Sequence, residues 1–114
     1  MANILFVCSA NIRRSKTAED YFAEHYPGHE YTSAGTNIKL CQREGTNPLN
    51  LELLQWADLI FVMETKHKRK ILETNPGRHA KKITVLHIPD RYKYYHKELL
   101  SLLEQKVAPV LRSY

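Results

Sequence analysis

The sequence predicts an α/β fold: a single doubly wound domain, residues 1–114, whose four-stranded parallel sheet carries helices on both faces. Three observations point there. Short apolar runs alternate with helical segments four times, the pattern of repeated strand-helix units. The runs Ile4-Leu5-Phe6-Val7 and Leu59-Ile60-Phe61-Val62-Met63 show no polar alternation, as expected of strands covered on both sides. The 114 residues suffice for one domain with a real core. Right-handed crossovers then gather the residues that follow each strand at one carboxyl edge.

Taken in order, Ile4 to Val7 is a buried strand that feeds a tight loop, Cys8 to Arg14. Ser15 to Tyr26 reads as a helix, with Ala18, Phe22 and His25 or Tyr26 on one face. Tyr26-Pro27-Gly28 is a turn, and Glu30 to Ala34 is a second strand that ends at Gly35. From Thr36 to Asn47 the chain is polar and without periodicity, so it reads as irregular. Asn47-Pro48 then opens a short helix through Leu51, Leu54 and Trp56, with Trp56 in the core. Asp58 caps the approach to the third strand, and Lys66 to Thr74 is a helix closed by Asn75-Pro76-Gly77. Ile83 to Ile88 is the fourth strand, in which His87 reads as a satisfied core histidine. Leu99, Leu102, Leu103, Lys106 and Val107 mark an amphipathic helix that Pro109 ends.

Composition narrows the function classes. With 43% hydrophobic and 25% charged residues and no run of membrane-spanning length, the chain reads as a soluble protein with no membrane partner. Neither a secretory nor a twin-arginine signal fits the N-terminus, which makes the cytoplasm the default location. Two cysteines without Cys-x-x-Cys spacing and six scattered histidines imply no disulfide framework, no metal and no cofactor. The net charge of +5 and the cluster Lys66, His67, Lys68, Arg69, Lys70 raise nucleic acid as a partner, but a solvated helix face is the commoner meaning of such a run and no binding motif accompanies it. The oligomeric state is not legible; a monomer is the default.

The chemistry concentrates in Cys8-Ser9-Ala10-Asn11-Ile12-Arg13-Arg14-Ser15. A loop that joins a strand to a helix N-terminus offers an oxyanion several backbone N–H groups and the positive end of the helix dipole, here from Ser9, Ala10, Asn11, Ile12 and Arg13. Arg14 has the spacing to grip two phosphate oxygens in a fork while Cys8 attacks phosphorus, and Ser15 can donate to the sulfur. A helix N-terminus and a neighbouring arginine favour the thiolate, the nucleophilic form of cysteine.

Cys-x5-Arg-Ser directly after an N-terminal strand resembles the low-molecular-weight protein tyrosine phosphatase family, whose signature C-x-x-N-x-x-R-S is matched by Cys8, Asn11, Arg14 and Ser15. Ser33-Ala34-Gly35-Thr36 resembles the family's segment at its place, which implies that Ser33 supports the loop by a hydrogen bond to Asn11, itself tolerant of left-handed backbone. Ala10 stands where the family commonly has Gly, and the segment from Gly35 to Asp58 is much shorter than the family's usual one. Arsenate reductases related to this family use two further cysteines after the third strand; Cys41 lies before it, which argues against that activity.

Transfer of a phosphoryl group to Cys8 expels an oxyanion that needs a proton, and a water must later lose one; a single carboxyl group can do both. Only Asp90 and Glu64 follow strands at the edge where Cys8 emerges, and Asp90 is the candidate. The resemblance agrees, since the family's acid lies in an Asp-Pro-Tyr segment and Asp90-Arg91-Tyr92 stands in that place, with Arg91 for the proline. Helix cap or turn residue is the other reading of Asp90, and Tyr92 either lines the mouth or packs. The resemblance implies hydrolysis of phosphotyrosine in proteins, or of small aryl phosphates, through a cysteinyl phosphate. Two other classes stay open: a phosphate- or phosphoprotein-binding module without turnover, and a basic nucleic-acid binder whose affinity would fall steeply with salt.

Overall fold

Four strands, β1 (Asn3–Cys8), β2 (Glu30–Gly35), β3 (Leu59–Val62) and β4 (Ile83–Val85), lie parallel in the order β2-β1-β3-β4 in the computed structural model, which describes residues 1–75, 77 and 79–114. Helices α1 (Arg14–His25) and α5 (Lys97–Arg112) pack on one face; α3 (Leu51–Trp56) and α4 (Thr65–Thr74) pack on the other. Period-two alternation divides β1 between the faces. Ile4, Phe6 and Cys8 join Ala18, Phe22, Leu99, Leu103 and Val107, while Leu5 and Val7 join Leu54, Ile60, Val62 and Ile71. Both sets are apolar, so the strand reads as an unbroken apolar run. Phe6 sits at the centre of the first face, stacked 5.6 Å from both Phe22 and Phe61. Glu104 on α5 accepts from the hydroxyls of Tyr21, at 2.6 Å, and Tyr26, which ties α5 to α1.

From β1 the chain crosses by α1 to β2 on one side, then returns by α3 to β3 on the other side. The crossovers diverge at the carboxyl end of β1, where open α/β sheets bind ligands. Cys8 is the last residue of β1.

Five details differ from the sequence expectations. The stretch expected to be irregular contains α2 (Ile38–Glu44), capped by Asn37, whose side chain accepts from the Leu40 amide at 3.1 Å, and ended by left-handed Gly45. Only Cys41 of its residues is buried, which leaves too few apolar positions for a period to show. Helix α3 starts after Asn50, whose side chain accepts from Leu53, and not at Asn47-Pro48. Residues 47 to 49 instead run beside Gly35, with the Gly35 amide donating to Asn47 and the Leu49 amide to Gly35. Proline, which has no N–H, suits that edge.

Strand β4 stops at Val85, although Leu86 and Ile88 still donate to Val62 and Met63. Between them His87 is flipped to φ 55° and exposed, so it is not a core histidine. Pro109 lies inside α5 and does not end it: the helix forfeits one backbone bond, but Ala108 and Leu111 beyond Val107 remain buried against the sheet. The stop expected at Asn75-Pro76-Gly77 is present at Asn75, whose amide closes on Ile71; Pro76 lies outside the described residues.

Gly35 ends β2 directly behind the loop that follows β1. A Cβ there would come within 2.4 Å of the Ser9 carbonyl oxygen and 2.5 Å of the Cys41 sulfur. We therefore expect Gly35→Ala to lower the unfolding free energy by about 1–3 kcal/mol, as overpacking does, in urea denaturation. An unaltered midpoint would show that the loop can retreat freely.

Candidate active site

Five residues, Ser9 to Arg13, link β1 to α1. Asn11 takes the left-handed conformation at φ 57°, and its side chain holds the loop in that shape. Its Nδ2 donates to Ser15 Oγ at 2.9 Å and to Ser33 Oγ at 2.8 Å, while its Oδ1 accepts from the Asn47 amide at 3.1 Å. Ser33 in turn donates to Glu19 at 2.5 Å. Three carbonyls at the start of the loop are bonded from the segment that follows β2. Cys8 O accepts from Thr36, Ser9 O from Asn37, and Ala10 O from the Thr46 hydroxyl at 2.6 Å. Among the described residues, the amides of residues 9 to 13 donate to no protein acceptor. A ring of unpartnered N–H groups at the head of α1 is a nest for an oxyanion.

The loop encloses a cavity of about 280 Å³, lined by Cys8, Ser9, Ala10, Ile12, Arg13, Arg14 and Asp90 together with Leu40 and Glu44 of α2. Cys8 is 3% exposed, and its sulfur lies 3.0 Å from Ser15 Oγ. Because Ser15 Oγ already accepts from Asn11, its own proton is free for the sulfur. Asn11, Ser15 and Ser33 therefore stand behind the loop, away from the cavity lining.

The Arg14 side chain is only 2% exposed. Its Nη1 donates to Glu64 Oε2 at 2.5 Å and to the Ile88 carbonyl at 2.9 Å, and its Nε lies 3.7 Å from Asp90 Oδ1. Burial pushes the Glu64 carboxyl up, but the hydrogen bond and charge of Arg14, with Lys66 and His67, more than offset this and hold it below its ordinary value. Glu64 thus anchors the guanidinium. Asp90, with 57% of its side chain exposed, stands at the rim.

Tyr92 does not reach the cavity. Its ring is buried with Ile88, Leu99 and Leu103, and its hydroxyl accepts from the Arg91 guanidinium at 3.2 Å. A ring that size gains more from the core beneath α5 than from a wet rim. Leu40 and Glu44 went unanticipated because α2 carries no periodicity.

His67 was also missed as a site residue. Within the basic cluster, Lys66, Arg69 and Lys70 are exposed, but His67 is 1% exposed. Glu64 and His67 form a reciprocal cap at the start of α4, in which the Glu64 amide donates to His67 Nδ1 at 3.0 Å. The other ring nitrogen lies 3.0 Å from Ser9 Oγ. The spacing Glu64-x-x-His67 at a helix start was the available signal.

Burial, then the Arg14 charge, pushes the His67 imidazole down to about 4. The unfolded chain takes that proton near pH 6.5 and the folded chain refuses it until about pH 4, so this contribution to stability is complete above 6.5 and is lost as pH falls. Between pH 7 and 5 we expect a loss of about 2 kcal/mol in urea unfolding, largely removed in His67→Gln. An equal slope in both proteins would mean that the buried ring is already charged.

No protein-family model matches the chain. The low molecular weight protein-tyrosine-phosphatase Ptp of Acinetobacter johnsonii is 35% identical over 115 aligned positions, with 81% of each chain covered. The tyrosine phosphatase Wzb from Escherichia coli K30, solved with phosphate, superposes with a TM-score of 0.78 at 25% identity over 99% of both chains. The YwlE arginine phosphatase from Geobacillus stearothermophilus, at 24% identity and TM-score 0.75 over 99% of this chain and 94% of its own, shares the fold. With a relative this similar over four fifths of its length, and with Cys8, Asn11, Arg14 and Ser15 in one loop, the chain belongs to the low-molecular-weight protein-tyrosine-phosphatase family.

Proposed function

We propose that residues 1–114 act as one phosphatase domain that hydrolyses phosphotyrosine in proteins, or small aryl phosphates, by way of a phosphorylated Cys8. The observation that carries this reading is the shared cavity: a thiol at its floor, a buried arginine beside it, and a carboxyl group at its rim. Unpartnered loop amides and the Arg14 guanidinium hold the phosphoryl oxygens. The Cys8 thiolate attacks phosphorus, the bond from phosphorus to the aryl oxygen breaks, and Asp90 in its acid form gives that oxygen a proton. Asp90, now a carboxylate, takes a proton from the water that attacks phosphorus next. The P–S bond breaks, and inorganic phosphate leaves with the thiolate restored and hydrogen-bonded by Ser15.

Ala10, Ile12 and Leu40 give the cavity an apolar wall suited to an aromatic ring. That Wzb, which shares this fold, was solved in complex with phosphate supports an oxyanion as the ligand. Among the described residues no helix is long and apolar enough to cross a membrane. A phosphotyrosine protein as substrate and the cytoplasm as its location belong to this proposal.

Two measurements test it. Cys8→Ser should abolish hydrolysis of aryl phosphates yet still bind inorganic phosphate, since the loop amides and Arg14 remain; activity near wild type would sink the covalent route. For esters of graded phenol acidity, Asp90→Asn should slow single turnovers about a hundredfold for phosphotyrosine and much less for acidic phenols. Glu64→Gln should weaken turnover evenly across the series, because Glu64 acts by holding Arg14. A steeper dependence in Glu64→Gln would move the acid there.

A further inference from the structure

The side chain of Ser9 sits between the anion cavity and a histidine that the reaction above does not use. The amide of Glu64 donates to His67 Nδ1 at 3.0 Å, so in the neutral ring the proton resides on Nε2. That nitrogen is 3.0 Å from Ser9 Oγ and therefore donates to it. A hydroxyl that accepts from the imidazole must send its own proton elsewhere. The described residues offer Ser9 Oγ no other partner, and Ser9 lines the cavity with Cys8 and Arg14.

We propose that His67 is a positioning residue that fixes the Ser9 hydroxyl as a donor into the cavity, adding a side-chain hydrogen bond to the phosphoryl oxygens beyond those of the loop amides and Arg14. The bond is well built for this. His67 is buried, its ring is pinned at both nitrogens, and the backbone group that pins it belongs to Glu64, which also anchors Arg14. One turn of α4 thus sets two phosphate donors at once. Burial and the Arg14 charge keep the imidazole neutral, so the direction of donation is preserved at neutral pH. The inference rests on the phosphatase reading only for the identity of the anion.

The test is a double-mutant cycle on the whole protein, read in inorganic phosphate binding by calorimetry and in kcat and KM for an aryl phosphate. Phosphate binding reports on the donor even if turnover is absent, which separates failure of this inference from failure of the phosphatase reading. Ser9→Ala, a half-buried and mild change, should weaken phosphate binding roughly ten- to hundredfold, the scale of one hydrogen bond to a charged group, and lower kcat/KM in parallel. His67→Leu should do the same, and the double variant no more than either. His67→Gln, whose amide can reach the Nε2 position, should recover most of the loss. Unaltered phosphate binding in Ser9→Ala would overturn the donor role by itself, whatever the folding of the His67 variants. Additive losses in the cycle, or no recovery in a folded His67→Gln, would overturn the positioning role.

Discussion

Burying the guanidinium of Arg14 is the constraint on which the site depends. An arginine 2% exposed would cost several kcal/mol if left unpaired. Its partners come from the ends of two other strands: Glu64 follows β3, while Ile88 and Asp90 follow β4. Arg14 itself opens the helix that follows β1. The order β1-β3-β4 is what sets these three chain ends side by side. The flip at His87 belongs to the same arrangement, because it separates two residues that still bond to β3 and leaves the Ile88 carbonyl for Arg14.

The other half of the loop is held from the opposite side of the sheet. Asn11 is a hub that reaches Ser15, Ser33 and the Asn47 amide, and only an asparagine offers donors and an acceptor on so short a stem while tolerating a left-handed backbone. Gly35 lets β2 and α2 press against the loop carbonyls, so that Thr46 and Asn37 can satisfy them from outside. With the carbonyls of Cys8, Ser9 and Ala10 taken from outside, the loop amides are left without protein acceptors among the described residues. The short segment between β2 and β3 therefore does two jobs: it buttresses the loop, and through Leu40 and Glu44 it supplies one wall of the cavity.

Much of this was legible because local chemistry and local sequence coincide. The apolar runs of β1 and β3 need no partner to be recognised, and Cys8, Asn11, Arg14 and Ser15 lie within eight residues, where spacing alone brings them to one turn of chain. Elimination at the carboxyl edge left Asp90 and Glu64 as acids near the thiol, and of the two Asp90 lines the cavity. Residues whose roles depend on distant partners were not legible. His67 looked like part of a solvated basic run, and for Tyr92 the mouth and the core both stood open until the fold buried its ring. In α2 a single buried position, Cys41, left no period to detect.

The sequence by itself determined a four-stranded parallel sheet with helices on both faces, the family, and the loop that carries the thiol, since these follow from hydrophobic pattern and from residues adjacent along the chain. Only the tertiary structure decided which carboxylate grips Arg14 and which stands at the rim, that Ser9 meets His67 across 58 positions, and that Leu40 and Glu44 close the cavity. The physical reason is that hydrogen bonds and ion pairs act over a few ångströms of space. Separation along the chain carries no information about them until the sheet has been assembled.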